Sequence, residues 1–179
     1  DVSVQLQVHS TRRTGWSVAN GQIDLAIIGG QLPGDLENLL QVIPYATDEL
    51  ALVLPSKHPL SNKKELLKED LYKLNFVTLD SQSTTRKVVD KLLQDSGLNI
   101  QRLKIEMELN SLEAIKNAVQ SGLGASFLPV VSIERELAAG TIHKAFVADL
   151  EVKRELKLIT NPSRYTSRAS EVFKKNILP

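Results

Sequence analysis

Cysteine is missing from all 179 residues, which excludes a disulfide framework and any thiol chemistry. That absence fits a reducing compartment such as the cytoplasm. Aromatic residues make up only 4% of the chain, leaving few rings to stack on an aromatic ligand. No apolar run approaches the roughly 20 residues that a membrane span needs. Neither sign of charge dominates, the formal net charge being +1, so nothing in the balance calls for nucleic acid or a membrane surface. His9, His58 and His143 stand far apart, without H-x-x-x-H or another zinc spacing, and neither a metal nor a cofactor is expected. G-x-S-x-G, the P-loop pattern and G-x-G-x-x-G are all absent. Asp80, Glu106 and Glu108 fall on strands or loops without a spacing that suggests acid–base work, so an enzyme is not expected. No export signal is visible. Asp1 is not a natural start, and the sequence is expected to be a piece of a longer chain.

What is present is ordinary globular material, 42% hydrophobic and 24% charged. The length allows one domain or two small lobes around a real core. "DVSVQLQVHS" alternates Val2, Val4, Leu6 and Val8 with polar residues and predicts a half-buried strand. "RTGWSVANG" predicts a helix ended by Gly21, and "QIDLAIIGG" a short strand closed by glycines. "ELALVLPSKHPL" predicts a strand stopped by Pro55 and Pro59, followed by a lysine-rich helical piece from Asn62 to Leu71. "NFVTLD" and "LKIEMEL" are strands on either side of a helix whose stripe is Val88, Val89, Leu92 and Leu93, stopped by Gly97. "NSLEAIKNAVQSG" and "VSIERELAAG" are helices, "GASFLPV", "TIHKAFV" and "RELKLIT" strands, and "SRASEVFKKNIL" a closing helix. Alternating strands and helices predict an α/β fold with largely parallel pairing.

One stretch holds more hydroxyl groups than a helix cap requires. Ser83, Thr84 and Thr85 precede Arg86 at the start of the predicted helix. A helix N-terminus presents unpaired N–H groups and a partial positive charge, and so attracts anions. Hydroxyls there, with Arg86 as a bidentate donor, can hold a carboxylate or phosphate. Ordinary capping with a solvated Arg86 accounts for the same residues. Ile28 and Gly29 end a predicted strand, where ligands of open α/β sheets lie and where glycine admits close backbone approach; a plain turn is the alternative.

Four stretches, in this order, resemble the effector-binding domain of LysR-type transcriptional regulators: "VQLQVHSTRRTGWSVANGQIDLAIIGG", "DELALVLPSKHPL", "SQSTTRKVVDKLLQDSGL" and "NSLEAIKNAVQSGLGASFLPVVSI". With the closing "RELKLIT…SRASEVF" they cover nearly the whole chain. "HSTRR…WSVANGQIDLAIIGG" further resembles the carbon-fixation branch, whose members control Rubisco and inorganic-carbon uptake genes in cyanobacteria, red-lineage plastids and autotrophic bacteria.

The resemblance implies two Rossmann-like lobes joined by crossover strands, like periplasmic binding proteins, with an effector in the cleft. One lobe would hold residues 1–72 and 152–179, the other residues 73–151. The family's N-terminal winged helix-turn-helix, its linker helix and the first strand and helix of the lobe are missing from this sequence, so promoter DNA would be bound only through the missing part. The resemblance assigns effector contact to Ser83, Thr84 and Thr85, and to Ser10 and Thr11 at the matching turn of the first lobe. His9, Arg12 and Arg13 beside that turn are candidates for ligand or interface contact, although paired arginines on a turn commonly mark a solvated face. For the carbon-fixation branch the implied ligands are small anions: 2-phosphoglycolate, ribulose 1,5-bisphosphate or 2-oxoglutarate. A homodimer or tetramer is implied, in the cytoplasm or a plastid stroma. A solute-binding receptor of a transport system, or a transferase or dehydratase, would share the two-lobed fold.

Overall fold

A computed structural model of the chain describes residues 3–178. The described residues divide into two compact units, one of residues 3–47 and 155–178, the other of residues 48–154. The expected boundary at residue 72 falls elsewhere for a packing reason. Leu50, Leu52, Leu54, Leu66 and Leu71 share one buried cluster with Phe76, Val89 and Leu93, so residues 48–72 pack with the second unit.

The first unit contains α1 (Thr11–Ala19), β1 (Leu25–Ile28), the short α2 (Gly34–Glu37), the first half of β2 (Gln41–Pro55), most of β7 (Lys153–Thr160) and α6 (Arg168–Ile177). β1 runs antiparallel to β7, with Ile28 opposite Lys157 and Leu25 opposite Thr160. Val18, Ala19, Ile28, Leu32, Leu36, Leu40 and Ile159 form its core. The predicted opening strand is not formed. Residues 3–10 make no strand, Val4, Leu6 and Val8 lie exposed, and Asp1 and Val2 lie outside the described residues. Alternation makes a strand only where a neighbour takes up its backbone N–H and C=O groups.

The second unit begins where β2 passes Asp48, and β2 is buried from Leu50 onward. There β2 pairs antiparallel with β5 (Ser126–Pro129) and with β6 (Ile142–Ala145). β3 (Asn75–Leu79) runs parallel to β4 (Lys104–Leu109), with an irregularity between Phe76 and Val77. Pairing is therefore mixed rather than largely parallel, since β1, β5 and β6 all meet antiparallel partners. The side chains of β3 alternate as a buried strand should. Phe76 faces the cluster containing Val89 and Leu93 of α3 (Thr84–Asp95). Val77 faces the cluster of Ile115 and Val119 from α4 (Leu112–Gln120) and Ile133, next to α5 (Glu134–Ala138). The lysine-rich piece forms two 3-10 turns, Pro59–Asn62 and Lys68–Lys73, instead of an α-helix. Gly97 ends the α3 segment with φ +87°, the left-handed conformation that glycine adopts without strain.

Candidate functional site

β3 ends at Leu79, and the chain turns through Asp80 into α3, so the start of this helix lies at the carboxyl end of a parallel strand. The turn is held on both sides. Asp80 N–H donates to the Leu109 carbonyl at 3.0 Å, while the Asp80 side chain accepts from Gln82 N–H at 2.9 Å. Ser83 is the N-cap, its hydroxyl accepting from Arg86 N–H at 3.5 Å. Capping by Ser83 leaves the N–H groups of Thr84 and Thr85 without an intrahelical partner. Two hydroxyls and two free N–H groups thus converge at the positive end of a helix of 12 residues.

Arg86 does not add to this group. Its Nε donates to both Asp90 oxygens at 2.8 Å, and its Nη1 donates to Thr78 Oγ1 and, at 3.3 Å, to the Leu79 carbonyl. Glu108 lies 3.5 Å from the same Nη1. The guanidinium is folded back against β3 and β4 and tied to two carboxylates, an intramolecular clamp rather than a free anion donor. Beside it, Thr78, Thr85, Arg86, Val89, Ser126 and Phe127 border an open pocket. Phe127 stacks on Phe76 with ring centroids 6.2 Å apart and also borders this pocket.

Two further residues belong to the site and escaped the sequence reading. Arg154 donates from Nη1 to Thr85 Oγ1 at 2.7 Å, and from Nε to Asp48 Oδ2 at 2.8 Å. Its Nη2 lies 2.7 Å from the same Asp48 oxygen, and both side chains are largely buried. No local pattern marks either residue, because Asp48 and Arg154 are 106 positions apart.

The first unit carries a helix start of the same make. Ser10 caps α1, its hydroxyl accepting from Arg13 N–H at 3.5 Å. Thr11 is buried, and the N–H groups of Thr11 and Arg12 have no intrahelical partner. The two starts share the pattern Ser-Thr-x-Arg: Ser10, Thr11, Arg13 and Ser83, Thr84, Arg86. That shared spacing was a signal available in the sequence. Arg12 lies on the surface 4.0 Å from Asp35, and His9 and Arg13 are exposed. Ile28 points into the core at 3% exposure, so its side chain is filling rather than ligand contact; Gly29 follows it in a bend. Among the described residues, no group of His, Asp and Glu could hold a metal ion.

The LysR substrate binding domain family matches residues 1–178. The chain belongs to this family. It is 60% identical over 179 residues to the "Probable RuBisCO transcriptional regulator" of Synechocystis sp. (strain ATCC 27184 / PCC 6803 / Kazusa), covering all of this chain and 52% of that protein. With the protein of the same description from Porphyra purpurea it shares 59% over 177 residues, 99% of this chain and 56% of that one. The LysR-family chain thus spans about half the length of these curated relatives. Among solved structures, the Synechocystis PCC6803 CcmR regulatory domain in complex with 2-PG superposes with a TM-score of 0.84 at 23% identity, covering 98% of this chain and 81% of that one. The effector binding domain of QuiR in complex with shikimate gives 0.79 at 22% identity, covering 95% and 77%. Both show the fold of LysR effector-binding domains, two-lobed and like that of periplasmic binding proteins.

Proposed function

We propose that this LysR-family domain senses a small anionic carbon metabolite for a transcriptional regulator of carbon-fixation or inorganic-carbon uptake genes. The observation that carries this reading is the start of α3, where Thr84 and Thr85 offer hydroxyls and unpartnered N–H groups at the positive end of a helix. An anion with several oxygens satisfies such a cluster with short charge-assisted hydrogen bonds. Ser10 and Thr11 provide a second helix start of the same design. The gene class is supported by the high identity to Rubisco regulators along the whole chain. The ligand class is supported by the 2-PG complex of the structural neighbour. Candidate effectors are 2-phosphoglycolate, ribulose 1,5-bisphosphate and 2-oxoglutarate.

The domain would bind and switch, without catalysing. An effector that prefers one of two arrangements shifts their populations, and only the difference in affinity drives the change. DNA contact would belong to the half of the regulator outside this chain. Exposed Ile27, Val172 and Phe173 in the first unit support self-association, with the homodimer or tetramer of the family as the expected form. A regulator of this family would act in the cytoplasm or plastid stroma, and among the described residues no helix is long and apolar enough to cross a membrane.

Thermal unfolding with each of the three anions tests the reading. A ligand at 100 times its Kd adds about 2.7 kcal/mol, which for a chain of this size raises Tm by roughly 5–10 °C. A rise with at least one anion is expected, and no rise with any of them would refute the ligand class.

A further inference from the structure

Arginine carries five donors and no acceptor. Any hydroxyl bound to a guanidinium must therefore accept, and must give its own proton elsewhere. Thr85 is in that position: its Oγ1 lies 2.7 Å from Nη1 of Arg154, and among the described residues no acceptor takes its proton. Among the described residues Thr84 has no such partner, so its hydroxyl is free to act either way.

Arg154 is itself fixed. Nε and Nη2 both meet Asp48 Oδ2, at 2.8 and 2.7 Å, and Asp48 is only 7% exposed. This ion pair stands where the chain crosses between units, Asp48 being the first and Arg154 the last residue of the second unit. The neighbouring backbone bond, from Leu50 N–H to the Val152 carbonyl at 2.8 Å, holds the same two strands together.

We propose that Arg154, oriented by Asp48, is a positioning residue that fixes the Thr85 hydroxyl as a hydrogen-bond donor and so selects an anionic effector at the start of α3. The inference rests on the reading under Proposed function and deepens it. A carboxylate or phosphate oxygen only accepts, so it gains from a hydroxyl locked as donor; a neutral ligand that must donate to Thr85 is disfavoured. An effector drawing on Thr85 also pulls on Arg154, and through Asp48 on both crossing strands.

Calorimetric titration of 2-phosphoglycolate into the wild type, R154M, T85V, the double variant R154M/T85V and R154K tests this. R154M and T85V are each expected to weaken binding about tenfold, the loss of one charge-assisted hydrogen bond. The double variant should be no weaker than the single ones, because both remove the same donor. R154K keeps the charge without the fork that spans Asp48 and Thr85, so it should stay weak. If R154M fails to fold with Asp48 left unpaired, D48N/R154M removes both charges and carries the same comparison. Wild-type affinity in R154M, recovery in R154K, or losses that multiply in the double variant would overturn the role of Arg154 while leaving the effector reading intact. Where 2-phosphoglycolate gives no heat, ribulose 1,5-bisphosphate and 2-oxoglutarate take its place in the same series, and no binding of any of the three by the wild type would overturn the effector reading, and this role with it.

Discussion

Gly124 sits where a methyl group has no room. A Cβ there would stand 2.7 Å from the Asn75 carbonyl oxygen and 3.2 Å from its carbon. That oxygen cannot retreat, because it accepts from Ala125 N–H at 2.7 Å in the bridge joining β3 to the β5 segment. Gly124→Ala is therefore expected to cost about 1–3 kcal/mol, seen as a lower urea midpoint at unchanged slope. Asp70 gives a prediction in pH. Lys73 at 2.7 Å, the Leu67 N–H at 3.1 Å and Lys63 at 3.2 Å hold its carboxyl at about 2, below the ordinary 3.8. A lowered carboxyl pKa stabilises the fold above the unfolded value, and the contribution fades as pH falls from 3.8 towards 2. Asp70→Asn should cost about 2 kcal/mol near neutral pH and flatten that acid limb, measured as Tm from pH 2 to 6. At this scale the sequence was half legible. Ser83, Thr84 and Thr85 announce themselves by clustering, whereas Asp48 and Arg154 become partners only through folding. Arg86 is the contrasting case: its type suits an anion, while Asp90, one turn on, and Glu108 already pair with its guanidinium.

The helix starts are the elements on which the proposed effector binding turns. Ser83→Ala removes the cap of α3 and should cost about 0.5–1 kcal/mol, a small loss in keeping with its long 3.5 Å bond. Leu93→Ala, at a side chain 1% exposed within the core beneath that helix, should cost about 3 kcal/mol. Comparing the two in urea would show that α3 is held by its buried face more than by its cap. The apolar stripe and the Gly97 stop made this helix readable, since both signals are local. Strand partners are not local. Val4, Leu6 and Val8 have the alternation of a strand but, among the described residues, no neighbour to complete it. β2 runs 15 residues from Gln41, well before the apolar run that betrays its second half, because its first half is largely exposed. Pairing direction escaped for the same reason: side-chain period shows which face is buried, not which strand lies alongside.

For the molecule as a whole, a LysR fold at 60% identity to Rubisco regulators and two Ser-Thr-x-Arg helix starts, one per unit, lead to the same expectation of a small polyanionic effector. The sequence resemblance reached the family because its motifs extend over the whole chain, but it misplaced the unit boundary, which depends on where residues 48–72 pack. Isothermal titration of the protein with 2-phosphoglycolate, ribulose 1,5-bisphosphate and 2-oxoglutarate tests the central claim most directly. Saturable one-site binding of at least one anion, weakened about tenfold or more by Thr84→Val and again by Thr85→Val, is the predicted result. An absence of heat with all three, or binding untouched by either substitution, would contradict the account.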